Sequence, residues 1–235
     1  LRPMLVLSLA CILLLAEPDF GAAIVLLATA LVILFVAGAR IRDFVMFFSV
    51  AIIAMVTLAL TSPYRLNRLT GFLDPWADPY NSGFQLTQSL IAIGTGEWFG
   101  LGLGSSVQKL FYLPEAHTDF LFAVIAEEFG LIGSVFVIVL FGVLVWRALV
   151  VADGAARRDA VFETTLAFGI AAWLGTQAAI NLGVNMGILP TKGLTLPLVS
   201  YGRSSLLVVL AALGLLARID LENRRLARGQ RRPSR

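Results

Sequence analysis

Six apolar runs, over approximately residues 3–17, 20–39, 43–61, 119–150, 161–184 and 199–217, leave this 235-residue chain few folds to choose from. A helix crosses the hydrocarbon of a bilayer with about 20 predominantly apolar residues, and most of these runs approach or exceed that length. Hydrophobic residues make up 58 % of the chain and charged residues 14 %, with a mean hydropathy of +0.87. Soluble domains carry roughly a quarter charged residues. The expected fold is an all-α polytopic membrane protein, with six transmembrane helices in a single membrane domain over 1–235. The first run is short and ends at Glu17-Pro18-Asp19, where proline stops the helix and two acids require water or partners, so that turn belongs at a membrane face. With no initiator methionine, basic leader or cleavage site at Leu1, the sequence is expected to be part of a longer protein.

Basic residues set the orientation, because excess lysine and arginine stay in the cytoplasm. With the C-terminus inside, 13 of the 18 basic residues fall on the cytoplasmic side, seven of them in a basic tail over 218–235. Only Arg65, Arg68, Lys109, Lys192 and Arg203 fall outside. The net charge of +3 does not indicate nucleic acid, since the basic residues cluster at helix ends and in the tail instead of on an aromatic-interleaved face. Cys11, the only cysteine, excludes an intrachain disulfide and a cysteine metal cluster; it is expected to be lipid-facing or packed.

This orientation places 62–118 outside the cytoplasm as one long loop. Nine aromatic residues, among them Trp76, Tyr80, Trp98 and Phe99, supply apolar area that disordered segments lack, so the loop is expected to be structured. Gln85–Ile93 has a helical apolar pattern, which Gly94-Thr95-Gly96 interrupts. Gly100, Gly102 and Gly104 match no nucleotide-binding fingerprint and predict turns or close helix packing.

The chemistry concentrates at Leu113-Pro114-Glu115-Ala116-His117-Thr118-Asp119-Phe120, which puts a carboxylate at the mouth of a long apolar helix. A carboxylate at a low-dielectric boundary persists when it is paired or when its raised basicity is used. Asp119 is therefore a candidate base, with N-terminal capping of the helix as the alternative. His117 is the only histidine, so no multi-histidine metal site forms within the chain. Glu127 and Glu128 lie roughly 12 to 13.5 Å deeper along the helix and, with Asp19, read as structural polar groups paired to a cation or backbone donor. Arg65 and Arg68, at i and i+3, share a helical face and with Lys109 and Lys192 suit the pyrophosphate of an anionic lipid; anchoring to headgroups is the alternative. The last outer stretch, 186–205, has two prolines, several glycines and the hydroxyls of Tyr201 and Ser204 in an apolar setting, which predicts a broken helix lining a cavity for a lipid with a charged head.

In these residues the chain resembles the SEDS family of bacterial cell-wall glycosyltransferases. The resemblance rests on Glu17-Pro18-Asp19-Phe20-Gly21, Tyr64-Arg65 through Pro79, Gln85-Leu86-Thr87-Gln88-Ser89, Leu113 to Phe120, Ala126-Glu127-Glu128-Phe129-Gly130 and Pro197 to Ser205. The stretch Leu189 to Pro197, with Ala116-His117-Thr118-Asp119, is more similar to the division members than to the elongation members. The resemblance implies a ten-helix fold, of which these six spans are the fifth to tenth, in the bacterial inner membrane at the division septum. It implies polymerisation of lipid II into peptidoglycan with inversion, Asp119 as the essential acid and undecaprenyl pyrophosphate as leaving group. It also implies a class B penicillin-binding protein and other divisome membrane proteins as partners. A divalent cation, magnesium or manganese, is compatible with this chemistry. Where the family has glycine, this chain has Arg203, expected to extend to the interface. Acids within spans motivate a lipid II flippase as a rival reading, and Arg203 a noncatalytic scaffold that activates the transpeptidase.

Overall fold

Uninterrupted apolar sequence becomes helix here because a helix pairs its own backbone without water. The computed structural model describes residues 20–40, 71–81, 83–109 and 113–230, with scattered positions between 6 and 57. Five helices are described without a gap, in order: α1 (Phe20–Val36), α2 (Phe84–Thr95), α3 (Leu121–Ala156), α4 (Val161–Asn185) and α5 (Arg203–Gln230). The described residues contain no strand. Helices α3, α4 and α5 are each long and apolar enough to cross a membrane, and α1, at 17 residues, coincides with the second expected span. The expected spans over 3–17 and 43–61 lie largely outside the described residues, and Asp19 lies wholly outside them. Cys11 is buried.

One end of the bundle is packed through small residues. Ala148, Val151, Ala152 and Ala155 of α3 meet Ala167, Ile170, Ala171 and Leu174 of α4 and Val209, Ala212, Leu216 and Ile219 of α5. Alanine lets helix backbones approach closely, which matters in lipid because burial from water does not drive helices together there. The same end carries four ion pairs among the described residues. Arg157 reaches Asp153 at 2.8 Å, Arg158 pairs with Glu163, and on α5 Arg224 reaches Asp220 at 2.7 Å and Arg218 reaches Glu222 at 3.3 Å. The two i,i+4 pairs on α5, with Asn223 Nδ2 donating to Val151 O at 3.0 Å, carry α5 well beyond the apolar limit at 217.

Helix α3 is not continuous. With 36 residues it would extend about 54 Å, well beyond the roughly 30 Å hydrocarbon core. It breaks at Gly130, whose φ of 66° and ψ of −162° lie outside helical space. The glycine-rich loop after α2 takes up the freed backbone groups. Leu101 N donates to Glu127 O and Gly102 N to Glu128 O, both at 3.0 Å, while Leu131 N and Ile132 N donate to Glu97 O and Trp98 O at 2.8 and 3.3 Å. A Cβ on Gly96, Gly100 or Gly130 would strike backbone across this junction. The glycines therefore serve close approach of two backbones at a broken helix.

Candidate functional site

Turn 113–120 leads into α3 and is seated by burying Leu113, Ala116 and Phe120 against Ala92, Ala123, Val124 and Val184. Phe120 is the N-cap of α3 and its own side chain makes no capping hydrogen bond. Thr118 Oγ1 donates to the Glu115 carboxylate at 2.7 Å. The start of α3 is satisfied from another helix, since Ala123 N donates to Asn185 Oδ1 at 3.1 Å.

Asp119 is half-buried, and the last outer stretch runs directly beside it. A Cβ placed on Gly193 would lie 3.2 Å from Asp119 Oδ2, so glycine lets the backbone after Lys192 pass against the carboxylate. Residues 190–196 have no regular secondary structure, as the sequence leads one to expect. Their carbonyls are held by buried amides on α4: Gln177 Nε2 donates to Thr195 O at 2.9 Å and Asn181 Nδ2 to Leu194 O at 2.5 Å. Asn181 Nδ2 and Asn185 Nδ2 also donate to Asp119 O, at 2.8 and 3.0 Å. Helix α2 docks on the same point, with Ser89 Oγ donating to Asn185 O at 2.9 Å.

Tyr201 N donates to His117 O at 2.9 Å and closes the ring of segments around the acid. Arg203 is exposed; its Nε donates to the Tyr201 hydroxyl at 3.0 Å, with the guanidinium 5.9 Å from the ring centroid. Ser204 is exposed on the first turn of α5, and Lys192 is half-buried. Glu115 and Leu198, both near the site, hold left-handed backbone at φ 56° and 66°, which non-glycine residues adopt only where their surroundings enforce it.

The other acids and the remaining cations are placed differently. Glu127, only 1 % exposed, accepts hydrogen bonds from Ser106 Oγ at 2.5 Å and from Val107 N and Gln108 N at 3.1 and 3.4 Å. Glu128 Oε1 lies 2.5 Å from Lys109 Nζ, an ion pair that matches the lysine's charge within the protein. Together they hold 106–109 against α3. Arg65 and Arg68 lie outside the described residues. Among the described residues, no three histidine, cysteine or carboxylate groups gather as a metal cage.

Three residues of this end are not legible as site residues from residue type alone. Gln177, Asn181 and Asn185 are 8 %, 1 % and 0 % exposed. Their signal is spacing: carboxamides at i, i+4 and i+8 lie along one face of an apolar helix.

The family of cell-cycle proteins comprising FtsW, RodA and SpoVE matches residues 1–225. A "Probable peptidoglycan glycosyltransferase FtsW" of Thioalkalivibrio sulfidiphilus is 60 % identical over 222 residues, covering 94 % of this chain and 56 % of its own length. Its counterpart in Methylococcus capsulatus is 61 % identical over 220 residues, covering 94 % of this chain and 55 % of its own. This chain thus spans little more than half the length of these relatives. A chain of a peptidoglycan synthase complex, solved to show structural coordination of polymerization and crosslinking, superposes with a TM-score of 0.70 at 34 % identity, covering 94 % of this chain and 61 % of its own. The rod-shape-determining protein RodA of Thermus thermophilus superposes at 0.60 with 32 % identity, covering 94 % of this chain and 56 % of its own.

Proposed function

This chain belongs to the family of FtsW, RodA and SpoVE cell-cycle proteins, and on that premise we propose that it is part of an integral-membrane peptidoglycan glycosyltransferase that polymerises lipid II during cell division. Six of its segments span the inner membrane, with Asp119 on the extracytoplasmic side. The observation that carries the reading is the meeting of Asp119 with the Lys192–Gly193 backbone at the mouth of α3, where a proton acceptor and a cation-bearing loop share one site.

The Asp119 carboxylate accepts the proton of the acceptor sugar's 4-hydroxyl as that oxygen attacks the anomeric carbon of the donor. The bond to undecaprenyl pyrophosphate breaks with inversion at that carbon. One base is sufficient, because cations offset the charge that develops on the leaving pyrophosphate without protonating it. Lys192 is proposed for that role, with Arg65 and Arg68 beside it. Lys109 joins them only by leaving Glu128, a costly exchange for a partly buried pair. Tyr201 and Ser204 present hydroxyls to the sugar or pyrophosphate. A divalent cation in this site would be held by the substrate's phosphates with Asp119 as the proposed protein ligand.

The proposed partner is a class B penicillin-binding protein, which crosslinks the new strand. The position of Asp119, before the first residue of a membrane helix, suits chemistry at a membrane face, whereas a flippase needs its polar site near mid-membrane. Detergent-purified complete protein, with its partner's transpeptidase blocked by a β-lactam, tests the proposal because no bilayer remains to be crossed. Glycan polymer formed from lipid II is the expected result; no polymer under conditions where the partner is bound would overturn it.

A further inference from the structure

We propose that Asn181 is a positioning residue that fixes Asp119 relative to the Lys192–Gly193 backbone and thereby sets the distance between the two halves of the reaction site. This rests on Asp119 being the proton acceptor. A carboxamide nitrogen has two hydrogens, and Asn181 Nδ2 places them on carbonyls from two separate segments: Asp119 O at 2.8 Å and Leu194 O at 2.5 Å. Its neighbours on the same face of α4 do not bridge in this way. Asn185 donates to Asp119 O and, within α4, to Asn181 O and Oδ1, and accepts from Ala123 N, with no bond to the 190–196 loop, while Gln177 donates to Thr195 O, on the loop's side.

The bridged segments are those that need a fixed separation. The acceptor hydroxyl must meet Asp119 while the donor pyrophosphate rests by Lys192, and the attacking oxygen must then reach the anomeric carbon in line. Asn181 is 1 % exposed, so water does not replace its hydrogen bonds when they are lost. Removing the bridge leaves each half-site with its own groups and loosens only their separation. The loss therefore falls on kcat, since a displacement of about 1 Å costs a reaction on the order of a hundredfold. Substrate affinity, which depends on each half-site separately, changes little.

The test uses the complete protein with its partner and records lipid II saturation curves and thermal midpoints for Asn181→Leu and Gln177→Leu. Both variants remove a buried amide from the same helix face, and only the first removes a bridge. Asn181→Leu is expected to lower kcat by about 30- to 100-fold with KM within about threefold of wild type, and Gln177→Leu to lower kcat by less than about fivefold. Equal kcat losses in the two variants at similar thermal midpoints would reduce Asn181 to a structural role and overturn the inference, as would wild-type kcat in Asn181→Leu. If Asn181→Leu does not fold, Asn181→Ser decides alone: its single hydroxyl satisfies one carbonyl at most, so a reduced kcat supports the bridge and wild-type kcat refutes it. Asp119→Ala separates the two claims. Normal polymerisation by Asp119→Ala overturns the assignment of the base and this inference with it. An inactive Asp119→Ala beside wild-type kcat in the Asn181 variants overturns the positioning role alone.

Discussion

The two ends of the bundle are built on different principles. At the end near Ala155 and Arg218, helices meet through alanines and stay helical beyond the apolar limit through i,i+4 ion pairs, interactions between near sequence neighbours or regular helix faces, with the Asn223 to Val151 bond as the long-range exception. At the Asp119 end, irregular backbone is held by buried side chains from distant parts of the chain: Asn181 and Asn185 reach back more than 60 residues to Asp119, and Glu127 and Glu128 hold a loop about 20 residues upstream. Local interactions produce a stable frame that tolerates change. Long-range side-chain to backbone bonds hold irregular backbone in place, and each carries a high penalty when lost, because its partner is left buried and unpaired.

This contrast can be broken most severely at Gly130. Valine there would need left-handed backbone and would strike Gly100, so the variant should lose more than about 2 kcal/mol of stability, read as a large fall in thermal midpoint. An unchanged midpoint would mean that the break in α3 does not need glycine. Glu127→Ala comes next: it strands Ser106 and the amides of Val107 and Gln108, at about 1 to 3 kcal/mol for a buried unmet group, and should make the 97–109 loop cleave faster in limited proteolysis. Lys192→Ala should raise the KM for lipid II by about ten- to hundredfold, the value of one charge-assisted contact. Arg203→Gly removes an exposed hydrogen bond to Tyr201 and should change turnover by less than about fivefold. Arg157→Ala, at the opposite end, breaks a pair whose side chains are 77 % and 58 % exposed and should shift stability by less than about 0.5 kcal/mol. A large loss there would erase the distinction between the ends.

The same contrast explains what was legible in the sequence. Helices α1, α3, α4 and α5 begin within a few residues of the starts of their apolar runs, because length and hydropathy alone force helix in lipid. The helix at Gln85–Ile93 and its glycine stop were readable for a similar reason, local pattern. The limits failed where local charge pairing outlasted hydropathy, as in α5 past residue 217. Asp119 stood out because a carboxylate beside an apolar run is rare. The role of Asn185 at the start of α3, where it accepts from Ala123 N 62 residues away, was not readable, because no local preference encodes it. Gly100 announced a turn or close packing without naming the partner, and Gly96 announced only a helix stop, since the partner of both is a break in a helix that hydropathy shows as continuous.

The central claim, that the Asp119 end carries the chemistry and the opposite end carries the frame, is tested most directly by polymerising lipid II with two matched carboxylate variants of the complete protein. Asp119→Asn keeps shape and removes a proton acceptor, and Asp153→Asn makes the same change on the exposed pair with Arg157. At equal protein level and partner binding, Asp119→Asn should lose about a hundredfold or more of the initial rate, the usual contribution of a general base, while Asp153→Asn stays within about twofold. Near-wild-type polymerisation by Asp119→Asn, or equal losses in both variants, would contradict the account.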